Sequence, residues 1–332
     1  MPPDSPGRAT DVQLSVVIPT FNRSENLSRT VSALRNQTLE AGSYEVLIVD
    51  DGSKDDTAER VRKMQQDYPT PLFYFYQQNR KQGAARNLGA ASARGDLLVF
   101  LGDDIVPTDS FLQEHLHEHQ KQAKRAEDAS KVVVIGYTTW PPDLRCTPFL
   151  EYIGEQGWQF GFSLIEDPED VDFNYFYSSN VSIDRRFFLE SGGFDEHFKE
   201  YGWEDIELSL RLKKRGMELV YCPDAIAYHH HETCIASFSE RQRKVGHSAW
   251  SFYHQHPDMA EFLGIDRIPD YSRSDRLKFW LLDWLCRRLE SSRHFTLSRY
   301  YPDLMTYYYV KGLIEAREAD CEQGNVIPAI VE

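Results

Sequence analysis

Two adjacent carboxylates, Asp103 and Asp104, close the apolar run of "LVFLGDDIVP" at residues 98–107. A core strand gains nothing from ending in negative charge, so the tip reads either as a solvated turn or as a place that holds a cation. A histidine triplet ends a second strand-like run, "AYHHH" at residues 227–231, and strand alternation turns His229 and His231 to one face and His230 to the other. Two imidazoles on one face, with carboxylates elsewhere in the chain, suit a mixed oxygen and nitrogen metal site. A single strand-end histidine is as readily a structural residue. The third cluster lies in "GWEDIELSLRLKKRG" at residues 202–216, a helical pattern in which Glu204, Glu207 and Arg211 share a polar stripe. Asp205 instead shares its stripe with Leu208 and Leu212. A carboxylate heading an apolar face in the first helical turn is kept ionised by the helix dipole, which suits a general base; it is equally suited to complementing the helix N-terminus.

These groups need elements to hold them. "LSVVIP" (14–19), "YEVLIV" (44–49), residues 72–76 and residues 96–101 read as strands, and helical patterns follow the first three: Leu27, Val31 and Leu34; residues 55–67; and an Ala-rich stretch. Strands alternating with helices predict βαβ units and a parallel sheet covered on both faces. In such sheets ligands lie outside the carboxyl ends of the strands. Those ends carry Thr20-Phe21-Asn22, Asp50-Asp51-Gly52-Ser53 and Gly102-Asp103-Asp104. The stretch "GAARNLG" (83–89) is expected to open a helix with free backbone N–H groups beside Arg86, a cradle for a diphosphate. Beyond residue 107 come a charged helix at about 108–128, a strand at 132–137, an aromatic segment at 140–177, a short strand "DAIAYHHH", and a helical, aromatic stretch to about residue 319.

The 332 residues leave room for a large core, and a net charge of -15 argues against a nucleic-acid partner, whose phosphates need clustered Lys and Arg. Five cysteines without close-spaced pairs suggest a reduced chain. The first 13 residues lack the apolar stretch of a secretion signal, and no run reaches the ~18 apolar residues of a membrane span. Cytoplasmic localisation is expected.

Six motifs together, in order and spacing, resemble the family 2 glycosyltransferases, inverting enzymes of the GT-A fold. They are "SVVIPTFNR", "YEVLIVDDGSKDDT", "GAARNLGAA", "GDLLVFLGDDIVP", "GGFDEHFKEYGWEDIELSLRLKKRG" and "PDAIAYHHH", and they cover about residues 12–233. The resemblance implies an α/β chain with a Rossmann-like, mostly parallel sheet flanked by helices and followed by a helical C-terminal extension. It divides into a flexible tail (1–12), a catalytic domain (13–233; nucleotide-sugar half about 13–107, acceptor half about 108–233) and a helical region (234–332).

It also implies roles. The donor is a nucleotide-sugar, most often UDP-linked. Phe21 would pack on its base, with Pro19 and Thr20 alongside; Asp51 would accept from the uracil imide; Arg86 would contact the nucleotide and Asp103 the ribose. Asp104 would ligate Mn2+ or Mg2+ with His229, since a carboxylate and a phosphate oxygen about 4 Å apart repel by roughly 4 kcal/mol at an effective dielectric near 20. Asp205 would deprotonate the acceptor hydroxyl, and Glu204 and His231 are secondary candidates. Gly102 departs from the family pattern, standing where the Asp-x-Asp motif has its first carboxylate. The acceptor is expected to be a saccharide or lipid-linked saccharide, shaped by the aromatic segment. Residues 276–295, with Trp280, Trp284 and Leu285 near Lys278, Arg287 and Arg288, are expected either to lie on the inner membrane face as a peripheral contact or to pack on the chain itself or a homodimer partner. Two alternatives are a nucleotidyltransferase and a non-catalytic carbohydrate-binding or scaffold protein.

Overall fold

The computed structural model describes residues 12–198, 202–231, 233–269, 271–290, 292 and 297–322. The expected tail, apart from Val12, lies outside them, as do residues 291 and 293–295 of the expected membrane segment. The chain forms two compact units: residues 1–142, 165–196 and 208–231, and residues 143–164, 197–207 and 232–332.

The first unit is built on one eight-stranded sheet. Strands β1 (Leu14–Thr20) and β2 (Tyr44–Asp50) are buried along their whole length, as near-continuous apolar runs covered on both faces should be. Helix α1 (Ser24–Leu34) lays Leu27, Val31 and Leu34 on the sheet; α2 (Thr57–Gln65), β3 (Leu72–Tyr76), α3 (Lys81–Ser92) and β4 (Leu97–Leu101) complete the alternation. Next come β5 (Ile105–Pro107), α4 (Phe111–Gln122) and β6 (Val132–Thr139). The order is β3-β2-β1-β4-β7-β6-β8-β5, with β7 (Asn180–Asp184) and β8 (Glu218–His229) in the second half. Strands β1 to β4 run parallel, whereas β7 is antiparallel to both β4 and β6, so the sheet is mixed beyond β4. Alternate residues divide two cores. Val16, Ile18, Val46, Ile48, Val99 and Leu101 share one cluster with α1. Phe100 turns the other way, with Phe188 and Phe194 rings 5.0 and 5.5 Å away. Phe188 lies on α6 (Arg185–Glu190).

The second unit is helical among its described residues: α5 (Pro148–Glu155), the first turn of α7 (Glu204–Lys214), α8 (Ile235–Gln255), α9 (Arg273–Leu289) and α10 (Tyr301–Glu322). Phe149 meets Phe238 and Tyr301 edge to face, and the Trp250 indole donates to Asp320 at 2.7 Å. Four of the aromatics expected to shape an acceptor are buried and serve packing: Phe160 and Phe162 in this unit, Phe173 and Phe176 in the first.

Candidate active site

Strand order reverses at β1, because the chain runs outward from it to β2 and β3 on one side and to β4 on the other. A crevice opens at the carboxyl ends of the strands at such a switch point. Thr20 ends β1 there and donates its hydroxyl to Asp103 Oδ2 at 2.8 Å. Phe21 follows, 44% exposed. The loop that presents it is keyed to the next strand end: Asn22 N–H donates to Ser53 Oγ, and Asn22 Oδ1 accepts from Lys54 N–H. Asn22 takes a φ of 54°, a conformation asparagine tolerates better than most residues. Pro19, inside β1 opposite Val49, is buried.

The paired aspartates at the end of β2 divide the work. Asp50 accepts from Ser53 N–H and the Tyr74 hydroxyl, which fixes the turn. Asp51 accepts from Gln77 Nε2 and Arg80 N–H on Oδ1 and from Lys81 N–H on Oδ2. An ionised carboxylate has about four acceptor positions, so one remains on Oδ2. This geometry corrects the expected diphosphate cradle. Residues 83–89 are helix throughout, and Asp51 already holds the N–H groups of Arg80 and Lys81 at the helix start. The glycines serve packing: a Cβ on Gly89 would lie 2.4 Å from Val17 Cγ1. Arg86 is buried at 6% exposure, its guanidinium 5.2 Å above the Phe194 ring.

Asp103 and Asp104 sit in a tight turn closed by Ile105 N–H donating to the Gly102 carbonyl. A Cβ at Gly102 would come within 2.8 Å of Ile105 Cγ1 and 3.2 Å of Asp104 Oδ1, so a first carboxylate there would require both side chains to shift. Strand β5 then pairs antiparallel with β8, Ile105 opposite His229, and His230 N–H donates to the Asp104 carbonyl. This register sets the acids against the histidines. His229 Nε2 is 3.4 Å and His231 Nδ1 3.8 Å from Asp104 Oδ2. As strand alternation predicts, His229 and His231 share a face, their rings stacked 5.6 Å apart. Trp140 stacks on His229 at 5.8 Å.

One residue here escaped the sequence reading. Arg23 Nη1 lies 3.0 Å from Asp103 Oδ1 and 2.8 Å from Asp104 Oδ2, so one guanidinium nitrogen bridges both carboxylates. Its signal was the basic residue that follows a strand end in "PTFNR". Burial pushes the Asp103 carboxyl up to about 6, with Asp104 adding to the push and Arg23 and Thr20 opposing it. Burial pushes Asp104 upward as well, but His229, Arg23 and His231 outweigh it and hold that carboxyl well below the usual range.

Among the described residues no group of three His, Cys, Asp or Glu side chains forms an all-protein metal cage. Asp104 with His229 offers a partial donor set instead. That suits a magnesium-like ion, which takes one or two protein ligands and fills the rest with substrate phosphates and water.

In the second unit, Asp205 lies half-buried in the first turn of α7. Glu204 is buried and accepts from Gly202 N–H at 3.2 Å, and Glu207 lies 3.4 Å from His256 Nε2.

Residues 15–170 match the family model described as "Glycosyl transferase family 2", and residues 167–233 match "N-terminal domain of galactosyltransferase". Validoxylamine A glucosyltransferase of Streptomyces hygroscopicus subsp. jinggangensis is 32% identical over 238 residues, covering 64% of this chain and 54% of that protein. The chain spans about half the length of the first curated relatives it matches. The crystal structure of S. aureus TarS 1-349 in complex with UDP superimposes with a TM-score of 0.54 at 17% identity, over 97% of this chain and 95% of that one. Mannosyltransferase PcManGT from Pyrobaculum calidifontis, in complex with GDP-Man and Mn2+, gives 0.60 at 14% identity, over 94% and 91%. At these identities the likeness is one of fold.

Proposed function

The chain belongs to the family 2 glycosyltransferases and has their GT-A fold, and from that premise we propose that it is a metal-dependent, inverting hexosyl or N-acetylhexosaminyl transferase. It takes the sugar from a UDP-sugar and passes it to a hydroxyl of a saccharide or lipid-linked saccharide. The observation that carries this reading is the convergence of Asp103, Asp104, Arg23 and His229 at the switch point of the sheet. The neighbours bound to UDP and to GDP-Man with Mn2+ support it.

In this reading the exposed Phe21 ring stacks on the base, and the remaining acceptor position of Asp51 takes the uracil imide N–H. Asp103 meets the ribose. Asp104 and His229 would hold a divalent ion, which would offset the charge growing on the departing diphosphate. His231, ring-stacked on His229, orients it. Asp205 takes the proton from the acceptor hydroxyl as that oxygen bonds to the anomeric carbon and the bond to the diphosphate breaks on the opposite face. One displacement inverts the configuration. Asp205 has this role by residue type and motif, as a half-buried acid in the first turn of α7. Arg86, buried over Phe194, supports the α3 wall behind the nucleotide.

The test is thermal stabilisation by UDP, GDP, dTDP and CDP with and without Mn2+, since a ligand that binds only the folded state raises stability by mass action. A Mn2+-dependent shift with UDP is expected. Asp205→Asn should keep that shift and lose transfer by about 10²- to 10⁴-fold. Absence of a shift with every nucleotide would replace this reading with the non-catalytic carbohydrate-binding one.

A further inference from the structure

Helix α9 presents two faces of opposite chemistry within the second unit. Its inner face is packed: Phe279 stacks on Tyr307 of α10 at 4.3 Å, Tyr271 meets Phe279 edge to face at 5.5 Å, and Cys286 is buried. On the outer face Leu277, Trp280, Leu281 and Trp284 are 65, 64, 48 and 53% exposed. Their spacing of i, i+3, i+4 and i+7 makes one continuous stripe. Soluble surfaces scatter such residues singly, and a contiguous group marks a contact face.

The charges say what kind of contact. At roughly 100° per residue, Arg273 and Arg288 fall within the stripe at its two ends, and Arg276 and Arg287 run along its margin. All four are exposed. Of the two acids of the helix, Asp275 falls on the opposite side, whereas Asp283 lies next to the margin and pairs with Arg287 at 2.8 Å; both are only partly exposed. A basic, Trp-bearing face on a chain with a net charge of -15 is a strong local reversal. Lipid headgroups match it on both counts, because tryptophan rings favour the boundary between headgroups and acyl chains and arginines favour anionic lipid. Two copies of the same face would set arginine against arginine, so self-association fits less well.

We propose that the Leu277-Trp280-Leu281-Trp284 face of α9, bordered by Arg273, Arg276, Arg287 and Arg288, seats the protein on an anionic bilayer surface. No helix among the described residues is long and apolar enough to cross a membrane, so this contact lies in the plane of the interface. It corrects the detail of the sequence reading. Leu285 is turned aside and only partly exposed, and the basic border begins at Arg273, ahead of the expected segment. The inference stands independently of the transfer reading.

Flotation of the full chain with vesicles of phosphatidylcholine, with and without 30 mol% phosphatidylglycerol, tests it. Binding to the anionic vesicles is expected to exceed binding to the neutral ones at least tenfold and to fall severalfold at high salt. A Trp280→Ser/Trp284→Ser double variant should lose the binding while keeping the wild-type melting profile. Charge reversal at Arg273, Arg276 and Arg288 provides a second variant with the same expected loss. Equal partition onto both vesicle types, or none, would overturn the proposal. A dimer in sedimentation velocity that dissociates in the tryptophan variant, without vesicle binding, would overturn it in favour of a second copy.

Discussion

The sheet unit contains two pairs of histidines with opposite surroundings. His115 and His119, one turn apart on α4, are sealed against β7. His115 Nδ1 lies 2.8 Å from Ser182 Oγ, its Nε2 2.9 Å from Asn180 Oδ1, and His119 Nε2 2.9 Å from the same Ser182 Oγ. Burial pushes both rings down, to about 4 and about 3. His229 and His231 stand at the end of β8 against Asp104, and His231 keeps 39% of its side chain exposed. The neighbours decide the difference. Hydroxyl and amide partners satisfy a neutral ring, whereas a neighbouring carboxylate gives the ring the company that the proposed cation site requires. Under the proposed function chemistry belongs to the mouth and stability to the inner pair, and each assignment can be tested by breaking it.

The largest effect is expected at the mouth. Asp104→Ala should lower kcat/KM for transfer about a thousandfold, roughly 4 kcal/mol in the barrier, by removing the carboxylate assigned to the ion. It should also abolish the Mn2+-dependent part of the nucleotide-induced melting shift. Retention of either within a few-fold of wild type would move the site away from Asp104.

The inner pair should govern pH-dependent stability. Its two rings stay neutral in the fold down to about pH 4 and about pH 3, whereas the unfolded chain takes up protons on them from about pH 6.5. The unfolded state therefore binds more protons in between. Stability from this source is full above pH 6.5 and is lost as the pH falls through that window. For His115 alone the gap between 6.5 and about 4 amounts to on the order of 3 kcal/mol. Urea midpoints at pH 7.5, 5.5 and 4.5 measure it, and His115→Gln should flatten the curve. A variant curve parallel to wild type would show that the acid loss arises elsewhere.

The two regions were unequally legible in the sequence. Apolar runs ending in polar clusters marked β1, β2 and β4 and placed Thr20, Asp51, Asp103 and Asp104 at strand ends, because burial on both faces leaves a simple signature. The inner histidines looked like part of a charged surface helix: α4 alternates Glu, His and Gln, and only packing on β7 tells the inward positions from the outward ones. Strand β8 was read short. It carries Pro223 and Asp224 in its interior, and the register with β6 slips between Gly136 and Tyr137 to admit them. The pairing of β5 with β8 is a long-range register that no local pattern encodes, so the contact of Asp104 with His229 could be implied only by resemblance. Arg23 was hidden for the same reason.

Arg23 gives the smallest expected effect and the sharpest test of the contrast. Its guanidinium nitrogen contacts the same Asp104 Oδ2 that faces His229 and His231. A divalent ion bound at that oxygen displaces the nitrogen or shares the oxygen with a like charge, and one bound at Oδ1 still sits beside it. Arg23→Gln should therefore bind Mn2+ in the absence of nucleotide severalfold more tightly, about 1 kcal/mol, the scale of a partly exposed ion pair. Electron paramagnetic resonance of unbound Mn2+ at pH 8, well above the titration of Asp103 at about 6, reads this without any turnover. Weaker Mn2+ binding would give Arg23 the opposite role, holding the two carboxylates in the geometry the ion needs. The difference between the two histidine pairs would then rest on preorganised positions at the mouth more than on its net charge.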